Sequence, residues 1–171
     1  MTDCVQIVNF DGALLKRGFW LYIWEITPLN GERLHYVGRT GDSSSQNAQS
    51  PFNRMSQHLG SNKRGNVLRR RLKALGIDSE KCTFQLVAYG PILEEASSQD
   101  RHRTCRDHVA ALEKALAEAI LAAGYNVMNP VSCRTQLDDK AFALVRAAFE
   151  EHFTELKPNS AIEMLPTLEH Q

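Results

Sequence analysis

A run of nine residues at positions 19–27, Phe-Trp-Leu-Tyr-Ile-Trp-Glu-Ile-Thr, constrains the fold of this chain more than any other segment. It is rich in aromatic and β-branched residues and predicts a strand that is apolar on both faces as far as Glu25. The residues Pro-Leu-Asn-Gly-Glu at 28–32 follow as a turn signal, and residues 33–40 predict a returning strand. The sequence therefore predicts an N-terminal β-hairpin.

The rest of the chain shows helical and extended patterns in turn. Apolar periodicity and cap residues indicate helices, and one more aromatic and β-branched run indicates a strand that the Gly90-Pro91 pair would end. The elements predicted after the hairpin are helices at 51–59 and 66–75, a strand at 81–89, and helices at about 93–123 and 137–155. This order predicts an α+β fold, with a small three-stranded, mostly antiparallel sheet flanked by helices.

The chain of 171 residues is long enough for one domain with a sizeable core. We expect that domain to span residues 1–157, with its core at about 18–130, and residues 158–171 to form a flexible tail. No apolar run has the length of a bilayer span, and the first residues lack the pattern of a secretory signal. The sequence therefore predicts a cytoplasmic protein with no membrane partner. The four cysteines are widely scattered, which argues against a disulfide framework.

Charge is balanced overall and uneven along the chain. The 20 Lys and Arg residues equal the 20 Asp and Glu residues, so the formal net charge is zero. This balance argues against a nonspecific polycation. Between positions 54 and 77, however, basic residues occur without any acid. Such a segment suits a phosphate-bearing partner, although a basic run is more often a solvated helix face.

Two tyrosines occupy matching places in the hairpin. The midpoint of Tyr22 and Tyr36 is position 29, inside the turn, so symmetric pairing would place the two rings at the same level on adjacent strands. Gly38, two residues after Tyr36, would leave that face open for a ligand to approach the backbone. Tyrosine on a strand usually serves packing, so the pair alone does not establish a site.

Two helices add polar groups. Arg54 and His58 are four residues apart on one helix face, and they combine a guanidinium for phosphate oxygens with a group that titrates near neutrality. Glu113 lies at the edge of the apolar stripe of the long helix, where a carboxylate is costly unless it is paired or bound to a metal. A solvated polar face for the first helix, and a salt bridge from Glu113 to Arg54 or another base, are the alternatives.

Together these residues resemble the GIY-YIG nuclease superfamily. The corresponding positions are Leu21-Tyr22-Ile23, Tyr36-Val37-Gly38, Arg54 with His58, Glu113, and Gly124-Tyr125-Asn126. The likeness covers about residues 18–130. It departs from the family pattern at Trp20, where the first motif has glycine. Asn126 is preferred to Asn129 because it follows the Gly-Tyr pair.

The resemblance implies a metal-dependent endonuclease that hydrolyses phosphodiester bonds in DNA, most often duplex DNA. It implies that Glu113 holds one Mg²⁺ or Mn²⁺ ion, which would neutralise developing charge. It implies that Arg54 holds the scissile phosphate, and that Tyr22 acts as general base toward water with His58 assisting. A tyrosine is a poor base at neutral pH, so it needs a neighbour that lowers its pKa or takes its proton.

Supporting roles follow from the same resemblance. Tyr36 would orient the water or the phosphate, and Asn126 would steady the site by hydrogen bonds. Contacts with the nucleic-acid backbone are expected from one glycine and six basic residues: Gly38, Arg39, Lys63, Arg64, Arg69, Arg70 and Lys73. Specificity would come from a homodimer or a partner protein. The alternatives are a catalytically inactive nucleic-acid-binding or protein-interaction module on the same scaffold, and an unrelated α+β domain.

Overall fold

An antiparallel sheet lies at the centre of the fold. The computed structural model describes residues 5–29, 31–42, 47–61 and 66–156. The strands are β1 (Phe19–Thr27), β2 (Leu34–Arg39) and β3 (Thr83–Leu93), in the spatial order β2-β1-β3. Because β1 is the central strand and both of its faces are covered, every residue from Phe19 to Ile26 is buried. The predicted α+β fold with a three-stranded sheet is confirmed.

Helices flank this sheet. Within the described residues they are α1 (Pro51–Leu59), α2 (Val67–Ala74), α3 (Gln99–Ala122) and α4 (Asp139–Glu150). The first begins where its sequence predicts, since the Ser50 side chain accepts a hydrogen bond from the Asn53 N–H and Pro51 occupies the first turn. None of these helices combines the length and the hydropathy of a bilayer-spanning segment.

Strand β3 is longer at its C-terminal end than its sequence predicts. The prediction that Gly90-Pro91 ends the strand is wrong, because the strand continues to Leu93, which pairs with Phe19. A proline is tolerated here because β3 is an edge strand, where a missing N–H need not break a ladder. Gly90 has a φ of 146°, and the ring of Trp20 lies 2.9 Å from where its Cβ would be. The helix predicted from about residue 93 begins instead at Gln99, where the Ser98 side chain caps it by accepting a hydrogen bond from Arg101 N.

Alternation along β1 separates two layers of packing. Leu21 and Ile23 belong to the larger core, which also contains Leu112 and Leu116 of α3 and Phe149 of α4. Tyr22 and Trp24 lie on the other face, because neighbouring side chains of a strand point to opposite sides.

On that second face, Tyr22 and Trp24 pack with Leu68 and Leu72 of α2, and Met55 of α1 lies against the same cluster. Both leucines of α2 are completely buried. The tyrosine singled out from the sequence therefore lies beneath α1 and α2, and α3 packs on the opposite side of β1.

The register of the hairpin differs from the symmetric prediction. Tyr22 pairs with Gly38 and Trp24 pairs with Tyr36, so the pairing is centred on position 30 and not on position 29. The two tyrosines are therefore diagonal neighbours and are not directly opposite each other. Because side chains alternate with a period of two, this shift of two residues keeps both phenols on the same face of the sheet.

The segment that follows α3 runs beside the outer edge of β2. His35 N donates to Asn126 O at 2.8 Å, and Met128 N donates to His35 O at 2.9 Å. His35 and Val127 form an isolated parallel bridge. The backbone groups on this edge of β2 are thus partly satisfied by a short, irregular segment.

The C-terminal end of the described chain returns to the sheet. The helix predicted at 137–155 is α4, which ends at Glu150 and is followed by a 3-10 turn at Thr154–Leu156. Between them His152 Nε2 lies 2.9 Å from Oε2 of Glu25, a buried carboxylate in β1. The tail predicted at 158–171 lies outside the described residues.

Candidate active site

A buried hydrogen bond between a phenol and an imidazole lies beneath α1. Tyr22 Oη and His58 Nε2 are 2.7 Å apart, and each residue is 1% exposed. The ring of Tyr36 stands edge-on to the same imidazole, with a centroid distance of 5.2 Å. The register of the hairpin and the last turn of α1 together bring the three rings into contact.

Gly38 makes room for the ring of Tyr22. A Cβ at position 38 would lie 2.6 Å from Cε2 and 2.7 Å from Oη of Tyr22, closer than any real contact. The prediction that Gly38 leaves an open face for nucleic acid is therefore wrong, since the phenol already fills that space. Glycine is required here so that the Tyr22 side chain can lie across β2 and reach His58.

Burial decides the protonation of this pair. Burial raises the pKa of Tyr22 well above its usual range, and the nearby charge of Arg54 lowers it only in part. Burial, together with the charge of Arg54, lowers the pKa of His58 to about 4. Both groups are therefore neutral at pH 7, and the sequence-based expectation that His58 titrates near neutrality is wrong. A neutral imidazole nitrogen is free to accept the phenolic proton.

Arg54 is oriented by two acceptors. Its Nη2 donates to Oδ2 of Asp42 at 2.9 Å and its Nη1 donates to Oε1 of Gln57 at 3.0 Å, while 20% of its side chain is exposed. Its buried Nε has no hydrogen-bond partner within the described chain. Sequence reasoning missed Asp42, because a lone acid at the start of a polar loop carries no signal until its partner is known.

Glu113 pairs with Arg39 at the edge of β2. Arg39 Nε donates to Oε2 of Glu113 at 2.8 Å, and each side chain is 15% exposed. Both residues lie on the α3 side of the sheet. The partner suggested by the sequence was Arg54 or another base, and it is Arg39. Arg39 itself was expected to contact nucleic acid, and its Nε is instead engaged by this carboxylate.

The charge of Glu113 nevertheless affects the pKa of Tyr36, which lies on the opposite side of the sheet. Burial raises the pKa of Tyr36, the charge of Glu113 raises it further, and the charges of Arg54 and Arg71 lower it. Burial also raises the pKa of Glu113, while Arg39 and Arg54 act in the opposite direction. Tyr22, Tyr36, Arg54 and His58 therefore lie on one side of the sheet, while Glu113 lies on the other side with Arg39 and acts on Tyr36 through its charge.

The side-chain amide of Asn129, and not that of Asn126, hydrogen-bonds to the backbone of β2 beside the tyrosines. Val37 N donates to Oδ1 of Asn129 at 2.9 Å, and Nδ2 of Asn129 donates to Val37 O at 2.7 Å. Asn129 is 7% exposed. The exposed side chain of Asn126 donates to Glu32 at 2.9 Å, away from the tyrosines. The preference for Asn126 drawn from the Gly-Tyr pair is thus corrected by these contacts.

An Asn129→Ala substitution is expected to lower the free energy of unfolding by about 2–4 kcal/mol, because it leaves the buried N–H and C=O of Val37 without partners. Asn126→Ala is the matched control and should cost less than about 1 kcal/mol, since it removes one exposed hydrogen bond. Urea denaturation of both variants measures the difference. Equal losses would contradict the assignment.

The basic residues of α2 divide between two surroundings. Arg69, Arg70 and Lys73 line an open pocket of about 670 Å³, and Arg69 Nη2 donates to Glu80 at 2.8 Å. Arg71 instead donates from Nη1 to Met128 O across 3.4 Å, and its charge lowers the pKa of Tyr36. Lys63 and Arg64, which were also expected to bind nucleic acid, lie outside the described residues.

Comparisons with known proteins were made for the whole chain. A scan against protein-family models and searches of curated proteins and of solved structures found no match. The resemblance to GIY-YIG nucleases therefore rests on the motif residues of this chain alone.

The fit of a divalent metal ion depends on the two carboxylates. Within the described residues, no group of three or more His, Cys, Asp and Glu side chains is arranged to hold a metal. Glu113 is close enough to Asp42 for the charge of Asp42 to raise its pKa. Carboxylate oxygens are the donors that Mg²⁺ and Mn²⁺ prefer, and Mg²⁺ commonly keeps several waters and needs one or two carboxylates. The donor chemistry of Glu113 suits one hard ion, and its Oε2 already accepts a hydrogen bond from Arg39.

Proposed function

We propose that this protein is a metal-dependent endonuclease that hydrolyses phosphodiester bonds in DNA, with duplex DNA as its substrate. The observation that carries the proposal is the buried 2.7 Å hydrogen bond between Tyr22 and His58. A phenol that faces a neutral imidazole forms a short proton relay. The guanidinium of Arg54, whose charge acts on Tyr22, is suited to bind a phosphate beside that relay.

The relay moves one proton in two hops. As a water attacks phosphorus, its proton passes to Tyr22 Oη, and the phenolic proton passes to His58 Nε2. Tyr22 ends neutral and His58 ends as an imidazolium. An anionic phosphate in the site favours that charge, whereas the resting pKa of about 4 keeps His58 neutral and ready to accept. Tyr22 thus acts without becoming a free phenolate.

Arg54 and Tyr36 position the phosphate. One fifth of the Arg54 side chain is exposed, and its guanidinium, which also acts on Tyr22 through its charge and a side-chain hydrogen bond, is suited to donate to a phosphate oxygen. Asp42 keeps the guanidinium oriented through Nη2. Tyr36 packs edge-on to His58 and is less buried than Tyr22, so its hydroxyl is placed to orient the water or the phosphate.

Glu113 would hold one Mg²⁺ or Mn²⁺ ion, with Asp42 as a second carboxylate nearby. When bound, such an ion supplies charge neutralisation at the phosphate and at the leaving oxygen. Arg39 favours the ionised form of Glu113, because its charge and its hydrogen bond both lower the pKa of a carboxyl that burial raises. Burial still dominates, so the pKa of Glu113 remains above its usual value, and a bound cation would favour the ionised form as Arg39 does.

Nicking of a supercoiled plasmid tests the function. The protein is expected to convert supercoiled DNA to open circles with Mg²⁺ or Mn²⁺ and to lose this activity in EDTA. An Arg54→Ala variant, purified identically, should be inactive and so controls for contaminating nucleases. Circular single strands and RNA in parallel reactions define the preferred nucleic acid. Absence of nicking with every divalent ion tried would overturn the proposal.

A catalytically inactive nucleic-acid-binding module is the second candidate. The observation that favours it is that two site charges are already paired, Glu113 with Arg39 and Arg54 with Asp42. This candidate predicts that a duplex binds with a strong salt dependence and is not cleaved. Anisotropy titrations at several salt concentrations, run beside the nicking assay, separate the two. Sequence specificity would come from a second copy or from a partner protein.

A further inference from the structure

The three successive arginines of α2 have different surroundings. Neighbouring residues on a helix point about 100° apart, so three in a row cannot share one face. Arg69 pairs with Glu80, Arg70 is exposed, and Arg71 is half-buried. The sequence-based interpretation assigned Arg69 and Arg70 to the nucleic-acid backbone and gave Arg71 no role.

Arg71 is the arginine that reaches the segment beside β2, where Met128 bonds to His35. Its Nη1 donates to Met128 O across 3.4 Å, a long hydrogen bond, and its buried Nε has no partner among the residues described. Its charge acts on the phenol of Tyr36. Buried guanidinium donors are normally satisfied, because leaving one without an acceptor costs free energy. An anion beside Tyr36 would supply the missing acceptor.

A basic pocket lies on another face of the same helix. It has a volume of about 670 Å³ and is lined by Ser61, Asn66, Arg69, Arg70 and Lys73, with no acid among them. Asn66 is buried, and its Oδ1 lacks a partner in the described ranges. The ion pair from Arg69 to the exposed Glu80 is weakly held, as surface pairs are. The pocket therefore offers cationic and amide groups to a charged, extended ligand.

We propose that Arg71 binds the phosphate next to the scissile one, and that the substrate strand continues from Tyr36 along α2 into the basic pocket. This inference rests on the proposed function, because it takes the tyrosine side as the place of hydrolysis. It assigns the substrate class as a polynucleotide strand with at least two adjacent phosphates. Arg54 holds the scissile phosphate, and Arg71 acts as a positioning residue that sets the register of the strand.

Two substrates distinguish binding of the neighbouring phosphate from a role in the hydrolysis step. One is a 12-base-pair DNA duplex, and the other is thymidine 5′-(p-nitrophenyl phosphate), which carries a single phosphodiester. For Arg71→Gln we expect kcat/KM to fall at least 30-fold on the duplex and less than threefold on the small ester. Arg71→Lys keeps the charge without the guanidinium fork, so it should recover part of the loss. Arg103→Gln, an exposed residue of α3, removes one charge elsewhere and should change neither.

Duplex binding gives a readout that does not need hydrolysis. In anisotropy titrations at several salt concentrations, Arg71→Gln should weaken binding of the 12-base-pair duplex about tenfold and reduce the slope of log K against log salt by about 0.9. If the variant loses this affinity and the wild-type protein cleaves no DNA, the contact between Arg71 and a phosphate is supported and the proposed function is rejected. An equal loss of activity on both substrates, or unchanged duplex binding and cleavage, would overturn the role of Arg71. Thermal melting of each variant checks that the fold is intact.

Discussion

Glutamine in place of Glu113 is expected to reduce metal-dependent cleavage by about a thousandfold, because several kcal/mol of transition-state stabilisation depend on the carboxylate charge. The substitution keeps the size of the side chain, and the amide oxygen can still accept the hydrogen bond from Arg39 Nε. The fold should therefore survive. Initial rates of plasmid nicking over a range of Mn²⁺ concentrations give the effect, and calorimetric titration with Mn²⁺ reports binding separately.

Glu118→Gln is the matched control for that experiment. Glu118 lies on the same helix, has a side chain that is 65% exposed, and pairs with Lys114 at 3.6 Å. It should retain full activity and Mn²⁺ binding. Wild-type rates for Glu113→Gln, or loss of rate in both variants to the same extent, would remove Glu113 from the proposed metal site.

Removal of the Tyr22 hydroxyl should have the second large effect. A Tyr22→Phe variant is expected to lose about 10²–10⁴-fold in rate, the range for a general acid–base group. The ring still fills the space over Gly38, so the hairpin register should be kept. His58 Nε2 loses its buried partner, which should cost about 1–3 kcal/mol in the free energy of unfolding.

Single-turnover cleavage and urea denaturation measure these two losses. Tyr89→Phe provides the control, since Tyr89 lies on β3 and packs against Phe149 in the other layer, with centroids 6.4 Å apart. That variant should cleave at the wild-type rate. Activity of Tyr22→Phe within threefold of wild type would show that the phenol is a packing group and that the relay is absent.

Local signals in the sequence were sufficient to predict which helices and strands form, although not every one of their ends. The aromatic run of β1 needs no tertiary context to be recognised, and Ser50-Pro51 marks the start of α1 by capping chemistry alone. The limit of β3 was missed because a strand can pass through Gly90-Pro91 only at a sheet edge, and strand order is a property of the assembled sheet. The sequence of a single strand does not show whether that strand will lie at the edge of the sheet.

The sequence was enough to predict which residues could form a site, but it was not enough to predict their contacts. A shift of the hairpin pairing by two residues leaves Tyr22 and Tyr36 on the same face of the sheet. Their common face was therefore predicted correctly, although their direct pairing was not. The choice between Asn126 and Asn129 depends on where an irregular segment meets β2, which no periodic pattern encodes. The pKa of His58 likewise depends on burial beneath α1, and its spacing from Arg54 carries no information about solvent access.

The return of the chain after α4 determines where this protein can be shortened. Glu25 is a carboxylate inside the sheet, and His152 is the imidazole that meets it. The next residue, Phe153, is 1% exposed in the larger core. A truncation at Glu150 would leave the buried Glu25 with only its longer ion pair to Arg33, at 3.4 Å, and a hole beside it, so a domain boundary chosen from the end of the last α-helix would damage the protein. Fusion partners and affinity tags belong beyond Leu156.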